Sequence, residues 1–231
     1  MLELYEDPAL REREDVFRDR AHAGQLLVEL LQRCAQEITC VLAIPAGGVP
    51  VAVPITQALG LPLDVAVTSK ITLPWNSEAG FGAVSFDGAV LLNERLLREL
   101  PLTQAQIDEG IERTRRKVAR RAQRFRGMAQ PLAFAGEAVV LVDDGLASGI
   151  TMRAAAQACR AAGARRVGVA VPTAHADAPH SLAGLADFVA CLNIRTRTPY
   201  AVADAYERWS DVLELQAQDQ LKAQGAPALV R

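Results

Sequence analysis

Apolar residues recur along this chain with two different periods, and segments of the two kinds alternate. Short runs rich in Val, Ile and Leu predict buried strands at residues 40–44, 63–67, 139–142, 167–171 and 188–192. Apolar positions three and four residues apart predict amphipathic helices at residues 19–34, 50–59, 151–162 and 178–185. Strands that alternate with helices are typical of βαβ units, whose strands run parallel. We therefore expect an α/β fold, with an open, mainly parallel twisted sheet and helices on both faces.

Two segments depart from this alternation. Residues 81–92 alternate around Asp87 and Gly88, which predicts a β-hairpin, with one edge of the main sheet as its candidate docking place. Residues 103–126 predict a long helix that opens with Thr103 and Gln106 in capping-box spacing. We expect one domain at residues 1–215, with a flap and hairpin at about 70–92, and then a C-terminal tail at residues 216–231.

The predicted long helix is strongly basic. A row of cations can bind nucleic acid, but no aromatic residues suited to base stacking are interleaved with these. A solvated helix face or a subunit interface is the commoner explanation, and we favour it. The cations are Arg113, Arg115, Arg116, Lys117, Arg120, Arg121, Arg124 and Arg126.

Composition narrows the function classes. The chain has 231 residues, of which 50% are hydrophobic, enough to bury a sizeable core. A formal net charge of −2 argues against a general polyanion binder. Residues 1–20 lack the apolar stretch of a signal peptide, and no apolar run reaches the roughly 20 residues that span a bilayer. We therefore expect a cytoplasmic protein with no membrane partner. The four cysteines lack C-x-x-C spacing, which predicts reduced thiols.

The most informative segment is residues 139–151, with the sequence VVLVDDGLASGIT. A buried strand ends in two carboxylates, Asp143 and Asp144, and a turn leads into a helix. In open α/β sheets ligands bind at this end of a strand, because the N–H groups at a helix start are unsatisfied and attract an anion. Glycines in such a turn bring backbone amides close to a phosphate, and hydroxyl groups add further donors. These residues are Gly145, Gly149, Ser148 and Thr151.

This segment resembles the signature of the type I phosphoribosyltransferases, which binds phosphoribosyl diphosphate. The alternative, a strand that ends in solvated acids before a capped helix, rarely needs paired carboxylates, glycines and hydroxyls together. In that family the two acids hold the ribose hydroxyls, directly or through Mg²⁺, and the loop grips the 5-phosphate. The resemblance implies catalytic and Mg²⁺-binding roles for Asp143 and Asp144. It implies 5-phosphate binding by Gly145, Ala147, Ser148, Gly149, Ile150 and Thr151.

A second loop is a candidate anion site. Residues 44–50 follow a predicted strand, contain paired glycines and lead into a helix with Pro50 as a candidate first residue, so that backbone amides can face an anion. The loop resembles the diphosphate loop of the same family, which implies that Ala46, Gly47 and Gly48 bind the donor's diphosphate. In the bacterial branch that the chain most resembles, an arginine usually stands where this chain has Ala46.

The third element is residues 67–78, which we interpret as a strand end running into a long polar loop. This position resembles the mobile catalytic flap of the family, and Lys70 matches a lysine of the branch, which implies a catalytic role. A solvated strand-end lysine is the equally weighted alternative. The branch usually has an arginine where this chain has Ser69. Each charge-assisted contact is worth roughly 1.5–3 kcal/mol, so the absence of both arginines predicts weak donor binding unless Lys70, Arg95 or a partner subunit's arginine compensates.

The resemblance covers nearly the whole chain, to about Leu215. In the family, variable terminal segments form a hood over the acceptor base. Residues 17–24 resemble the entry to the branch's first helix, and residues 201–209 resemble its closing segment. Three aromatic residues, two in the second segment and one directly before it, could stack on a planar base, although packing against the sheet is the favoured role for each. They are Tyr200, Tyr206 and Trp209.

These features favour a Mg²⁺-dependent phosphoribosyltransferase, which the resemblance implies forms a homodimer, as family members often do. The implied reaction transfers the 5-phosphoribosyl group from phosphoribosyl diphosphate to a nitrogenous acceptor, such as a nucleobase. The alternative is a binding or regulatory protein that keeps the 5-phosphate pocket without turnover, which Ala46 and Ser69 favour. Phosphate-ester hydrolysis is disfavoured because no water-activating base is evident.

Overall fold

The structure is a computed structural model that describes residues 2–127 and 131–225. Its strands are β1 (Glu3–Glu6), β2 (Cys40–Ala43), β3 (Leu63–Val65), β4 (Ser69–Leu73), β5 (Asn76–Val84), β6 (Val90–Leu92), β7 (Ala138–Val142), β8 (Arg166–His175) and β9 (Phe188–Arg195). Its α-helices are α1 (Arg20–Cys34), α2 (Gly48–Leu59), α3 (Glu94–Glu99), α4 (Gln104–Arg126), α5 (Ile150–Ala161), α6 (Asp177–His180) and α7 (Glu214–Ala223).

Six of these strands form one sheet in the order β1-β9-β8-β7-β2-β3, and each neighbouring pair is parallel. The inner strands are buried on both faces, which explains their nearly continuous apolar sequences. Val140 and the side chains on its face of the sheet pack with α1 and α2. Leu141 and the opposite face pack with α5. The predicted α/β fold with helices on both faces is therefore confirmed.

The edge of this sheet shows where the sequence pattern was insufficient. β1 was not predicted, because its four residues, in which two acids flank Leu4 and Tyr5, are too few to show a period of two. It pairs with β9 in parallel.

The helix predicted at residues 178–185 is wrong beyond its first turn, since α6 ends at His180. Gly184 has a φ of +80°, a left-handed conformation that a right-handed helix excludes.

The remaining strands form a separate antiparallel sheet in the order β4-β5-β6. The predicted hairpin is confirmed as β5 and β6, with Gly88 in its turn at a φ of +81°. The interpretation of residues 67–78 as a polar loop is wrong, because β4 and the start of β5 occupy this segment. Ile71 and Leu73 are buried and alternate with half-buried neighbours. This short strand has the period of two, but Pro74 and the polar residues after it obscured the pattern.

The two ends of the chain lie together as a hood beside the carboxyl edge of the main sheet. The N–H groups of Asp15 and Phe17 donate to Asp204 and Ala205, and the N–H of Glu207 donates back to Phe17. In the part of the chain that the structure describes, no helix is at once long enough and apolar enough to cross a bilayer. The four cysteines are buried and free.

Candidate functional site

The carboxyl ends of β7 and β2 meet at one edge of the sheet, and most of the predicted site residues lie there. Asp143 and Asp144 follow β7, and the glycine loop follows β2, which pairs with β7. The loop and the acids are in contact. A Cβ atom at Gly47 would collide with the carboxylate of Asp144, and one at Gly48 would collide with the carbonyl of Val142. Strand pairing thus joins two motifs that are far apart in sequence.

The two acids are held by different groups. Oδ2 of Asp144 forms an ion pair with Arg20, whose Nε lies 2.8 Å away. Oδ1 of Asp143 accepts a hydrogen bond of 2.9 Å from the N–H of Asp144. No described residue donates to Oδ2 of Asp143 or to Oδ1 of Asp144. Each acid therefore keeps one oxygen for a ligand.

Both acids are costly to ionise. Burial raises the pKa of Asp143 well above its usual value and the carboxylate of Asp144 adds to the effect, whereas Arg20 and Arg121 oppose it. Burial also raises the pKa of Asp144, against the charge and hydrogen bond of Arg20. Carboxylates perturbed in this way at a sheet edge are typical of functional sites.

The loop after the acids is an open helix start. Its last residue, Gly149, has a φ of +72°, and α5 begins without a side-chain cap. The backbone N–H groups of Ala147, Ser148 and Gly149 find no acceptor among the described residues. Leu146 fixes the loop to β8, because its N–H donates to Thr173 and its carbonyl accepts from the N–H of His175. Unsatisfied N–H groups at a helix start bind anions.

The other predicted residues of this loop differ in position. Gly145 lies against Val202 of the hood, where a Cβ atom would collide. Ile150 is buried and packs with Ala83 of β5, so its side chain belongs to the core. Thr151 is half-buried in the first turn of α5. Ser148 and Ala147 are exposed, and they form the accessible part of the loop.

The glycine loop is a second open helix start at the same edge. The predicted start at Pro50 is two residues late, since α2 begins at Gly48, and Gly47 before it provides no side-chain cap. The N–H groups of Ala46 and Gly47 donate to no acceptor in residues 2–127 or 131–225, whereas that of Gly48 donates to Ile44. The peptide bond between Pro45 and Ala46 is cis. Two sets of available backbone donors therefore flank the acidic pair.

Two arginines at this edge were missed by the sequence analysis. Arg20 donates to Asp144 and to the carbonyl of Ser210, and its guanidinium carbon lies 3.8 Å from the ring centroid of Trp209. Arg121 of α4 donates to the carbonyl of Pro45 at the start of the glycine loop. The signal for Arg121 was its helical phase, because it shares the buried side of α4 with Gly110, Thr114 and Val118.

Lys70 lies on β4, beside Ser69, and its side chain packs across Gly80 of β5. Lys117 of α4 has a pKa that is lowered by burial and by the charges of Arg121, Arg120 and Lys70, with Glu214 opposing. Ser69, the neighbour of Lys70 on β4, accepts from Arg121, so this end of β4 lies beside the cations of α4.

The aromatic residues of the hood support the site. The hydroxyl of Tyr206 donates to the carbonyl of Asp144 at 2.6 Å, and its ring is buried between Phe17 and Trp209. Tyr200 donates to Thr173 at 3.2 Å and is half-buried. Packing is therefore the observed role of Tyr206.

The acids also suit Mg²⁺, but only together with a ligand. No cluster of three or more His, Cys, Asp or Glu side chains that could hold a metal occurs among the described residues. Mg²⁺ in enzymes is commonly held by one or two carboxylates, with substrate phosphates and water completing its shell. The available oxygens of Asp143 and Asp144 match the protein's share of such a site.

Comparison with known proteins agrees with this arrangement. The chain matches the phosphoribosyl transferase domain over residues 87–204, which include β7 and both acids. Two proteins from strains of Mycobacterium tuberculosis, whose names give them provisionally as phosphoribosyl transferases, are 38% identical over 198 residues. These alignments cover 84% of this chain and 44% of each relative, so the chain spans less than half of their length. The crystal structure of the protein TT1426 from Thermus thermophilus is 38% identical with a TM-score of 0.71, over 89% of this chain and 97% of that one.

Proposed function

We propose that this chain, which belongs to the phosphoribosyltransferase family, transfers the 5-phosphoribosyl group of phosphoribosyl diphosphate to a nitrogenous acceptor, with a nucleobase as the leading candidate. The observation that carries the proposal is the paired acids flanked by two open helix starts at one sheet edge. A donor of this kind is a sugar between a monoester and a diphosphate. It therefore needs two anion sites with hydroxyl acceptors between them.

Each part of the donor has a proposed partner. The loop at residues 147–151 binds the 5-phosphate through its N–H groups, with Ser148 and Thr151 as hydroxyl donors. The available oxygens of Asp143 and Asp144 accept from the ribose hydroxyls. The N–H groups at Ala46 and Gly47 face the diphosphate.

The proposed reaction is a displacement at ribose C1. The bond from C1 to the diphosphate oxygen breaks and its electron pair stays on the diphosphate, while a bond to the acceptor nitrogen forms through a transition state with oxocarbenium character. The proton displaced from that nitrogen passes to the departing diphosphate. When bound by substrate oxygens and the two acids, Mg²⁺ supplies positive charge that offsets the leaving diphosphate. The protein's task is to hold the ribose in position and to exclude water. The reaction therefore requires no covalent nucleophile.

The wider setting is also proposed. We place the protein in the cytoplasm as a homodimer, with one domain at residues 1–215 and a tail at 216–231. Lys70, on the β4–β5 hairpin, acts in this proposal from a flap that closes over the donor. These statements stay predictions.

Isothermal calorimetry with millimolar phosphoribosyl diphosphate and Mg²⁺ tests the proposal directly. Binding is expected for the wild-type protein and is expected to fall strongly for Asp144→Asn. This variant is expected to stay folded, because burial disfavours the charge that it removes and the Asn oxygen can still accept from Arg20. Asp108→Asn is the matched control, since Asp108 is an exposed acid on α4 that contacts Gln104. Absence of donor binding by the wild-type protein would overturn the proposal.

A second function is favoured by Ala46 and Ser69, which stand where the related branch has arginines. A regulatory binder would hold ribose 5-phosphate or a nucleoside monophosphate as tightly as the diphosphorylated donor. It would also release no diphosphate with any base. A coupled assay of diphosphate release over a panel of purine and pyrimidine bases separates the two functions, because only the transferase gives a signal with one of them.

A further inference from the structure

We propose that Arg121 of α4 supplies the positive charge that binds the donor's diphosphate, in place of the two arginines that this chain lacks at Ala46 and Ser69. The inference rests on the proposed function and assigns a residue to one of its subsites. It gives the basic helix a specific role in addition to that of a solvated face.

Arg121 lies where the glycine loop and the start of β4, the two segments that lack an arginine, come together. Its Nη2 donates to the carbonyl of Pro45 at 2.8 Å, beside Ala46. Its Nη1 donates to Oγ of Ser69 at 3.2 Å. One guanidinium therefore contacts two places. It contacts Ser69, where the related branch has an arginine, and it contacts Pro45, which precedes Ala46, the other position where the branch has one. Ser69 is buried, and its side chain is small enough to leave room beside it for the guanidinium of Arg121.

The guanidinium has donors left for a ligand. Arg121 carries five N–H groups, and Nε donates to Glu214 at 2.7 Å. Together with the bonds to Pro45 and Ser69, this leaves one N–H on each terminal nitrogen that is bonded to none of the described residues. The side chain is 13% exposed. Its charge therefore acts in a partly buried setting, where an ion pair is stronger than at an open surface.

The positive charges around Arg121 make this part of the site suitable for an anion. The charges of Arg121 and Lys70 both act on Lys117, and together with burial they lower its pKa. The positive charge of Arg121 also reaches Asp143, where it works against the raised pKa. A polyanion that bridged the glycine loop and the acids would relieve this repulsion among the three cations.

Glu214 competes with such a ligand. Its carboxylate accepts from Nε of Arg121 and from Nη1 of Arg124. Partial burial acts to raise the pKa of Glu214, but the hydrogen bonds from Arg124 and Arg121 lower it, so the carboxylate is charged at neutral pH. It thus occupies part of the binding capacity of Arg121.

The test compares two ligands by calorimetry with Mg²⁺: phosphoribosyl diphosphate, and ribose 5-phosphate, which lacks the diphosphate. Arg121→Gln is expected to weaken binding of the diphosphorylated donor about tenfold to hundredfold, the usual value of a charge-assisted contact. It is expected to leave ribose 5-phosphate binding within about twofold. Arg124→Gln is the matched control, because Arg124 also contacts Glu214 from α4 but is 65% exposed.

A second variant protects the test against misfolding of the first. Glu214→Gln removes the competing carboxylate, so we expect severalfold tighter donor binding and unchanged ribose 5-phosphate binding. A purely structural Arg121 would show the opposite pattern, with lower melting temperatures and equal effects on both ligands. That pattern, or donor binding by Arg121→Gln equal to wild type, overturns the inference. Wild-type protein that binds no donor overturns the proposed function as well.

Discussion

Glycine is required at the site for two different physical reasons. Gly149 has a φ of +72°, a conformation that other residues adopt only with strain. Gly47 has a φ of −60°, which any residue can adopt, but its Cα faces the carboxylate of Asp144 and no Cβ fits between them. The sequence analysis identified both glycines from their motifs. It could not find the second reason, because the contact depends on the pairing of β2 with β7.

Asp143 is expected to lower the stability of the folded protein, although donor binding requires it. Its raised pKa means that burial and Asp144 disfavour the ionised carboxylate in the folded protein. Asp143→Asn removes this charge, and its side-chain oxygen can still accept from the N–H of Asp144. We expect the free energy of unfolding at pH 7 to rise by about 1 kcal/mol, and donor binding to be lost. Urea denaturation and calorimetry measure the two effects.

The pH dependence gives this prediction its control. Because the pKa of Asp143 is raised in the folded protein, the wild-type carboxyl takes up its proton there at a higher pH than its ordinary pKa of 3.8 would give. The stability advantage of Asp143→Asn should therefore shrink as the pH falls from 7 toward 4, and a variant less stable than wild type at pH 7 would contradict the argument.

Among the secondary-structure elements, α4 shows how far a sequence pattern reaches. Its start at Thr103 and its capping box were predicted from residue spacing alone and are confirmed, because a cap is a local interaction. The partners of its arginines were not predictable, since Asp64 and Glu214 lie far away in sequence. The same limit explains the missed β4, where burial against α4 outweighs a weak local signal.

The end of α4 is expected to be held by a buried ion pair. Nε and Nη2 of Arg126 donate to the two carboxylate oxygens of Asp64 at 3.0 and 3.1 Å, and Asp64 is 2% exposed. Arg126→Met leaves this carboxylate buried without its cation, which typically costs about 3–5 kcal/mol. Urea denaturation measures the loss. Arg116→Met, at an exposed position of the same helix, should stay within about 0.5 kcal/mol of wild type. A loss below about 1 kcal/mol for Arg126→Met would contradict the role of the pair.

At the scale of the whole molecule, the site is assembled from four distant parts of the chain. The glycine loop and the acids could be predicted because each is a short motif that ends a strand. Arg20 and Arg121 were not assigned to the site: helical phase places Arg121 on the buried side of α4, but neither helix gives a local sign of the partner that its arginine contacts. The hood was expected from the resemblance of both ends, and the hydrogen bonds between Phe17, Ala205 and Glu207 show how it closes. What remained hidden is therefore the set of tertiary contacts around the motifs.

The core makes a prediction for alkaline pH. Burial raises the pKa of the Cys34 thiol to about 11 and those of Cys40 and Cys191 to about 12, and it also raises that of Cys159, from an ordinary value of 9.0. Above pH 9 the unfolded chain loses these protons while the folded chain keeps them, so stability falls with rising pH. Each thiol contributes a loss of about 1.4 kcal/mol per pH unit. This dependence should persist to about pH 11.

A single substitution isolates the contribution of one thiol from that of lysine and tyrosine side chains. Cys191→Ala is expected to be less stable than wild type at pH 8, because a fully buried side chain is shortened. Between pH 9 and pH 10.5, however, its free energy of unfolding should fall less steeply, by the share of one thiol, so that the two curves converge. Urea denaturation at closely spaced pH values measures the slopes. Parallel curves would mean that Cys191 ionises equally in the folded and unfolded states, and that the sheet interior does not exclude its charge.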